Sequence, residues 1–173
     1  MMYRTSKIKE IYDRNWDSLY RLCLIYMQNQ EDACDMVQET FVRLLQYIGR
    51  QEEKTEVFRD EDHERAWLRT VACNLCKNEL RHWWRRKRQE VEAIENLFEP
   101  GQAVQEHGEI LEDILEMPEK YRVLIYLHYY EGYSVEEIGN ILKEKPSTLR
   151  SRISKGRKLL EKKLKEDGYG KEN

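Results

Sequence analysis

Apolar residues recur at three- and four-residue spacing along most of this chain, the period of a helix with one buried face. The first such run covers residues 6–28, where Ile8, Ile11, Tyr12, Leu19, Leu22, Cys23 and Tyr26 share a side. A polar break at residues 28–31 precedes a second run over 31–48 that turns Ala33, Val37, Phe41, Leu44, Leu45 and Ile48 inward. Residues 49–62, GRQEEKTEVFRDED, carry no helical stripe and read as a loop. A third helix is expected over 63–88, with Trp67, Leu68, Val71, Ala72, Leu75, Cys76, Leu80 and Trp83 inward. Its outer side presents Thr70, Asn74, Lys77, Arg81, Trp84 and Arg88, with Asn78 at the edge.

The pattern stops at residues 89–109, which hold six Glu, no Lys or Arg, and Pro100, Gly101 and Gly108. That composition predicts a flexible acidic linker, and a coil of about 20 residues spans roughly 25 Å on average. Helical spacing resumes at Ile110. Pro118 opens a helix that should bury Val123, Leu124, Leu127 and Tyr130 and end at Gly132. The fold class expected is all-α: two small helical domains, 6–88 and 110–166, joined by the linker 89–109, with residues 167–173 a disordered tail.

The last two helices form the most informative stretch, SVEEIGNILKEKPSTLRSRISKGRKLL. Ser134 and Glu137 have the spacing of a capping box, in which each satisfies an amide of the other. Val135, Ile138, Ile141 and Leu142 make the apolar stripe of the first helix. Pro146 halts that helix and suits the first turn of the next. The second helix collects Leu149, Ile153, Gly156 and Leu160 on one side and Ser147, Arg150, Ser151, Ser154, Lys155 and Lys158 on the other. Two short helices, a tight turn and one polar face predict a helix-turn-helix.

Charge sharpens that reading. Residues 143–165 hold ten Lys or Arg against two Glu, a local +8 in a chain whose total is −3. Such asymmetry is the footprint of a polyanion partner. Small residues among the cations let a helix enter a groove, where arginine can fork onto guanine and serine or threonine can reach phosphate. Arg81, Arg85, Arg86, Lys87 and Arg88 mark a second cationic surface, interleaved with an aromatic ring as nucleic-acid surfaces often are. The polar side of the second helix, with Asp35, Gln38, Glu39 and Arg43, is either a solvated face or a surface that docks on a basic protein.

Other chemistry is weakly represented. Mean hydropathy is −0.89 and no run of about 18 apolar residues occurs, so no membrane insertion is expected. The N-terminus has no apolar signal core, which points to the cytoplasm. Cys73 and Cys76 form a C-x-x-C within a helical pattern, without a second pair or a histidine at ligand spacing, and read as core residues rather than a metal or redox site. No nucleophile elbow or phosphate-cradling glycine loop is present, so neither a cofactor nor an enzymatic activity is expected.

With these segments in order, the chain resembles a bacterial RNA polymerase sigma factor of the sigma-70 family, extracytoplasmic-function (ECF) subfamily. Residues 32–41, DACDMVQETF, are similar to the stretch of sigma domain two that docks on the clamp of the largest polymerase subunit. Residues 66–81, AWLRTVACNLCKNELR, are similar to the segment that melts and reads the minus-ten promoter element. Residues 115–134, 136–138 and 148–157 match sigma domain four, which reads the minus-thirty-five element and meets the flap of the second-largest subunit. The resemblance assigns Asp35, Gln38 and Glu39 to core polymerase, and Asn74, Asn78 and Arg81 to promoter DNA. It assigns Ser147, Thr148, Arg150, Ser151, Ser154 and Lys155 to the recognition helix, and the loop 49–62 to capture of a flipped base. It also implies a linker along the path of the nascent RNA and an anti-sigma factor as a possible partner. Three departures stand out: Asn78 where aspartate is frequent, Lys143 where the turn usually has glycine, and Gly156 where alanine is usual. The rival reading is a stand-alone helix-turn-helix transcriptional regulator that needs no polymerase, and the blandest is a helical adaptor with incidental basic patches.

Overall fold

The computed structural model describes residues 2–51, 56–89 and 109–168, and side chains within 5–51, 56–86 and 111–168. All regular structure among them is helical, arranged in two compact units divided at Glu99 and Pro100. The first unit holds α1 (Met2–Met27), α2 (Gln30–Gly49) and α3 (Glu61–Gln89). The second holds α4 (Glu109–Leu115), α5 (Glu119–Ile125), α6 (Val135–Leu142) and α7 (Pro146–Glu166), with a π-helical turn over Tyr126–Tyr130 continuing α5. Of the expected linker 89–109, Gln89 ends α3 and Glu109 begins α4, while residues 90–108 lie outside the described residues, as do residues 169–173 of the tail.

Each of the three helices of the first unit packs on the other two. The turn between α1 and α2 is reversed by Gln28 at φ +56°, and Asn29 caps α2 by accepting from the Asp32 amide at 3.0 Å. Leu19, Leu22, Cys23, Ile25, Ala33, Val37, Leu44, Leu68, Ala72, Cys73 and Cys76 are fully buried. Each Leu or Ile so buried contributes about 1.5 to 3 kcal/mol of transfer free energy. Cys73 and Cys76 both face this core, where a thiol packs as a small hydrophobe.

Two inward assignments on α1 and α2 need correction. Leu45 is 49% exposed, beside Val42 at 42%, because the apolar stripe of α2 is wider than the surface that α1 and α3 cover. Tyr12 is 40% exposed yet not bare: its ring lies 4.7 Å from Phe41 and 5.2 Å from Trp16, an aromatic cluster at the rim of the core. Such pairs add about 0.5 to 1.5 kcal/mol each beyond burial.

In the second unit α7 is the central element, packing against α4, α5 and α6. Of its expected inward set, Leu149, Ile153 and Gly156 are buried and Leu160 is half-buried. Gly156 lets α7 approach α5 closely: a Cβ there would lie 3.0 Å from Ile125 Cγ1 and 3.2 Å from Tyr121 Cβ. Gly132 adopts φ +78° after the π-helical turn, as expected for a stop. Tyr130, however, is 48% exposed rather than buried. The π-helical turn bonds Glu131 N to Tyr126 O at 3.1 Å, and the extra residue it accommodates rotates Tyr130 off the inward stripe of Val123 and Leu127. Its ring stacks on the buried Tyr126 at 5.4 Å.

Candidate nucleic-acid and polymerase interface

The helix-turn-helix is built from α6, the turn and α7. Ser134 caps α6 as a full capping box: its Oγ accepts from Glu137 N at 3.2 Å and the Glu137 carboxylate accepts from Ser134 N at 2.7 Å. Lys143 ends α6 in the left-handed conformation, φ +55° and ψ +43°, at the position where glycine is usual. The chain then reverses so tightly that a Cβ on Gly139 would lie 2.9 Å from the Glu144 carbonyl oxygen. Pro146 sits at the first position of α7, where its missing N–H costs nothing. An Arg152–Glu144 ion pair at 2.7 Å ties α7 back to the turn.

On α7 the structure brings together the expected recognition residues. Ser147, Thr148, Arg150, Ser151, Ser154 and Lys155 are all exposed, while Leu149 and Ile153 anchor the opposite side. Arg150 is held by a carboxylate that sequence reading passed over: its guanidinium donates to Glu136 on α6. The helical spacing of 136 and 150 on two different elements offered no signal, since only the folded turn puts them side by side.

In the first unit the candidate residues lie on two helices, α3 and α2. On α3, Asn74, Asn78 and Arg81 are exposed at intervals of four and three, hence on one face. Trp84 continues that stripe at 55% exposure, with its ring edge-on to Trp83 at 4.9 Å. On α2, Asp35 and Gln38 are exposed and Glu39 is half-exposed and bonded to Arg43 at 2.9 Å. Val42 and Leu45 follow Gln38 at +4 and +7, so this face has an apolar ridge as well as a polar one. The carboxyl of Asp32, at the start of α2, is pushed above the usual carboxylate range by partial burial first and then by Asp35, Glu79 and Glu31, with Arg86 acting the other way.

Of the loop expected at 49–62, Gly49 still belongs to α2 and Glu61 and Asp62 already to α3; residues 52–55 lie outside the described residues, and 56–60 lead into α3 beside a group of rings. Tyr47 lies 4.9 Å from Trp67, and Phe58 lies 5.8 Å from Trp67 and 5.6 Å from His63. Asp60 caps α3 by accepting from His63 N at 2.7 Å. Phe58 stood outside every periodic stripe in the sequence, so its place in this cluster was not legible there.

A three-helix unit whose α3 exposes Asn74, Asn78, Arg81 and Trp84, and a second unit ending in a helix-turn-helix, are the arrangement of a transcription factor of the sigma-70 class. The family description "Sigma-70 region 2" matches residues 11–86, and "Sigma-70, region 4" matches residues 107–160. The ECF RNA polymerase sigma factor SigW of Bacillus subtilis is 31% identical over 91% of this chain and 88% of its own length. RNA polymerase sigma factor SigV of the same organism is 28% identical over 86% of both. Among solved structures, the Bartonella quintana sigma factor RpoE, in a co-crystal with the anti-sigma factor NepR, matches with a TM-score of 0.70 and 21% identity over 92% of this chain and 97% of that one. The chain belongs to the ECF RNA polymerase sigma factors, and its function is that of a sigma factor, which binds core polymerase and directs initiation at promoters. The reading as a stand-alone regulator is not favoured. No described helix is long and apolar enough to cross a membrane.

Proposed function

We propose a residue-level division of labour for this sigma factor. Asp35, Gln38 and Glu39 of α2 dock on the clamp of the largest polymerase subunit, with Val42 and Leu45 as the apolar centre of the same contact. A patch of that kind, apolar inside and polar around, is how stable interfaces are generally built. Asn74, Asn78 and Arg81 of α3 hold promoter DNA at the minus-ten element. Phe58 of the loop 49–62 packs with Tyr47 and Trp67, and these rings support its assignment to a flipped base, because base stacking on an aromatic contributes about 1 to 3 kcal/mol. Ser147, Thr148, Arg150, Ser151, Ser154 and Lys155 of α7 read the minus-thirty-five element, and the second unit meets the flap of the second-largest subunit. Residues 89–109 serve as the acidic tether between the domains, along the path of the nascent RNA. The factor acts in the cytoplasm, and it catalyses nothing itself. The Bartonella neighbour was solved with an anti-sigma factor, and this supports an inhibitory partner of that kind here.

The observation that carries the reading is the exposure of these polar side chains, Glu39 only partly, on helices whose opposite sides are packed. Run-off transcription with purified core enzyme tests it. The wild-type chain is expected to produce promoter-dependent transcripts and the Gln38→Ala/Glu39→Ala variant to lose most of them. Full activity of that double variant would remove α2 from the polymerase contact.

A further inference from the structure

Glu136 and Glu137 are neighbours in the first turn of α6, yet they do different things. Glu137 is committed to the capping box with Ser134. Glu136 takes no part in the cap; its carboxylate crosses the turn and accepts from Arg150 Nη2 on the exposed side of α7. Both side chains of that pair stay open to solvent, 61% and 58%. The second cross-turn pair, Arg152 with Glu144, is less exposed at 37% and 30% and fastens the turn itself. An exposed ion pair adds little to stability. The contact between Glu136 and Arg150 is therefore not needed to hold the fold.

We infer that Glu136 is a specificity-determining residue of the helix-turn-helix: it orients the Arg150 guanidinium for a base edge and keeps it from settling on phosphate. This rests on the proposed role of α7 as the recognition helix. Two physical effects act together. A free arginine side chain carries about 2 kcal/mol of rotamer entropy, and a carboxylate bonded to Nη2 biases the fork toward one orientation, which reduces what must be lost when it meets guanine. The same carboxylate repels the DNA backbone, so it weakens contacts that do not depend on sequence. Glu136 thus lowers affinity for any duplex while raising the contrast between the right base pair and the wrong ones.

The test uses the full chain assembled with core polymerase and a duplex pool randomised across the minus-thirty-five element. Enrichment is compared for wild type, Glu136→Ala, Glu136→Gln and Arg150→Ala, with binding to a scrambled duplex measured in parallel. Wild type and Arg150→Ala should differ at one base position by about 5-fold or more. Glu136→Ala should flatten the same position, and both Glu136 variants should bind the scrambled duplex several-fold more tightly, with the capping box and the thermal transition unchanged. If Arg150→Ala flattens that position while Glu136→Ala leaves both the base preference and the scrambled-duplex affinity as in wild type, the inference about Glu136 is overturned and the recognition-helix reading stands. If wild type enriches nothing, or Arg150→Ala changes nothing, the assignment of Arg150 to a base falls and the inference falls with it.

Discussion

Arg14 on α1 and Glu64 on α3 form a two-pronged ion pair, Nε to Oε1 at 2.9 Å and Nη2 to Oε2 at 2.5 Å. Glu64 is 3% exposed and also accepts from the buried Asn15 amide at 2.8 Å, so one carboxylate satisfies two side chains of the neighbouring helix. The hydrogen bonding to Glu64 holds the Arg14 guanidinium above its ordinary pKa. Removing the carboxylate leaves the buried Asn15 amide with only the Ile11 carbonyl, and leaves Arg14, on the surface, with Glu61 at 3.5 Å. Glu64→Ala is expected to destabilise the first unit by about 1 to 3 kcal/mol. All four tryptophans, Trp16, Trp67, Trp83 and Trp84, lie in that unit, so urea unfolding followed by tryptophan fluorescence reports it selectively. An unchanged midpoint would show that the pair is dispensable.

Gly156→Ala places a methyl against Ile125 and Tyr121 Cβ, both attached to the packed α5. The gain in helix propensity is about 1 kcal/mol and the overpacking cost about 1 to 3 kcal/mol. A net loss of about 1 kcal/mol in the second unit is expected, read as faster amide hydrogen exchange in α5 and α7. Slower exchange would mean that α5 yields at no cost.

Lys143→Gly acts in the other direction. The left-handed backbone at Lys143 costs an L-residue about 1 kcal/mol that glycine escapes. The variant should slow exchange in α6 by up to about fivefold, and it should leave the base preference of α7 intact.

Asp32→Asn should show a pH signature. The folded protein raises the Asp32 pKa above its ordinary value, chiefly by partial burial, so the ionised form costs stability. That cost is fully present above the folded pKa, fades as pH falls through it, and is gone below the unfolded value. The variant should therefore melt higher than wild type at neutral pH, and the two should converge at about pH 3. A difference that persists in acid would assign the effect to something other than ionisation.

Much of this architecture was legible in one dimension. The all-α class, the capping box of Ser134 and Glu137, Pro146 at the head of α7 and the inward set Leu149, Ile153 and Gly156 follow from spacing and local hydrogen bonding, which depend on residues within one turn of each other. The exposed positions Gln38, Asn74, Arg81 and Arg150 follow as the complements of those stripes. Local order is written in nearest neighbours, and the sequence lists neighbours.

What the tertiary structure decided involves residues that are distant in the chain. The exposure of Leu45 depends on how much of α2 its partner helices cover, and that of Tyr130 on a π-helical turn that shifts the register by one residue. Arg14 meets Glu64 across 50 positions, and Phe58 joins Tyr47 and Trp67 from outside any stripe. Glu136 finds Arg150 only after the chain has reversed past Lys143. Periodicity states which side of a helix is apolar; the width of the covering surface and the partner across a turn are set by packing, and packing exists only once the chain has folded.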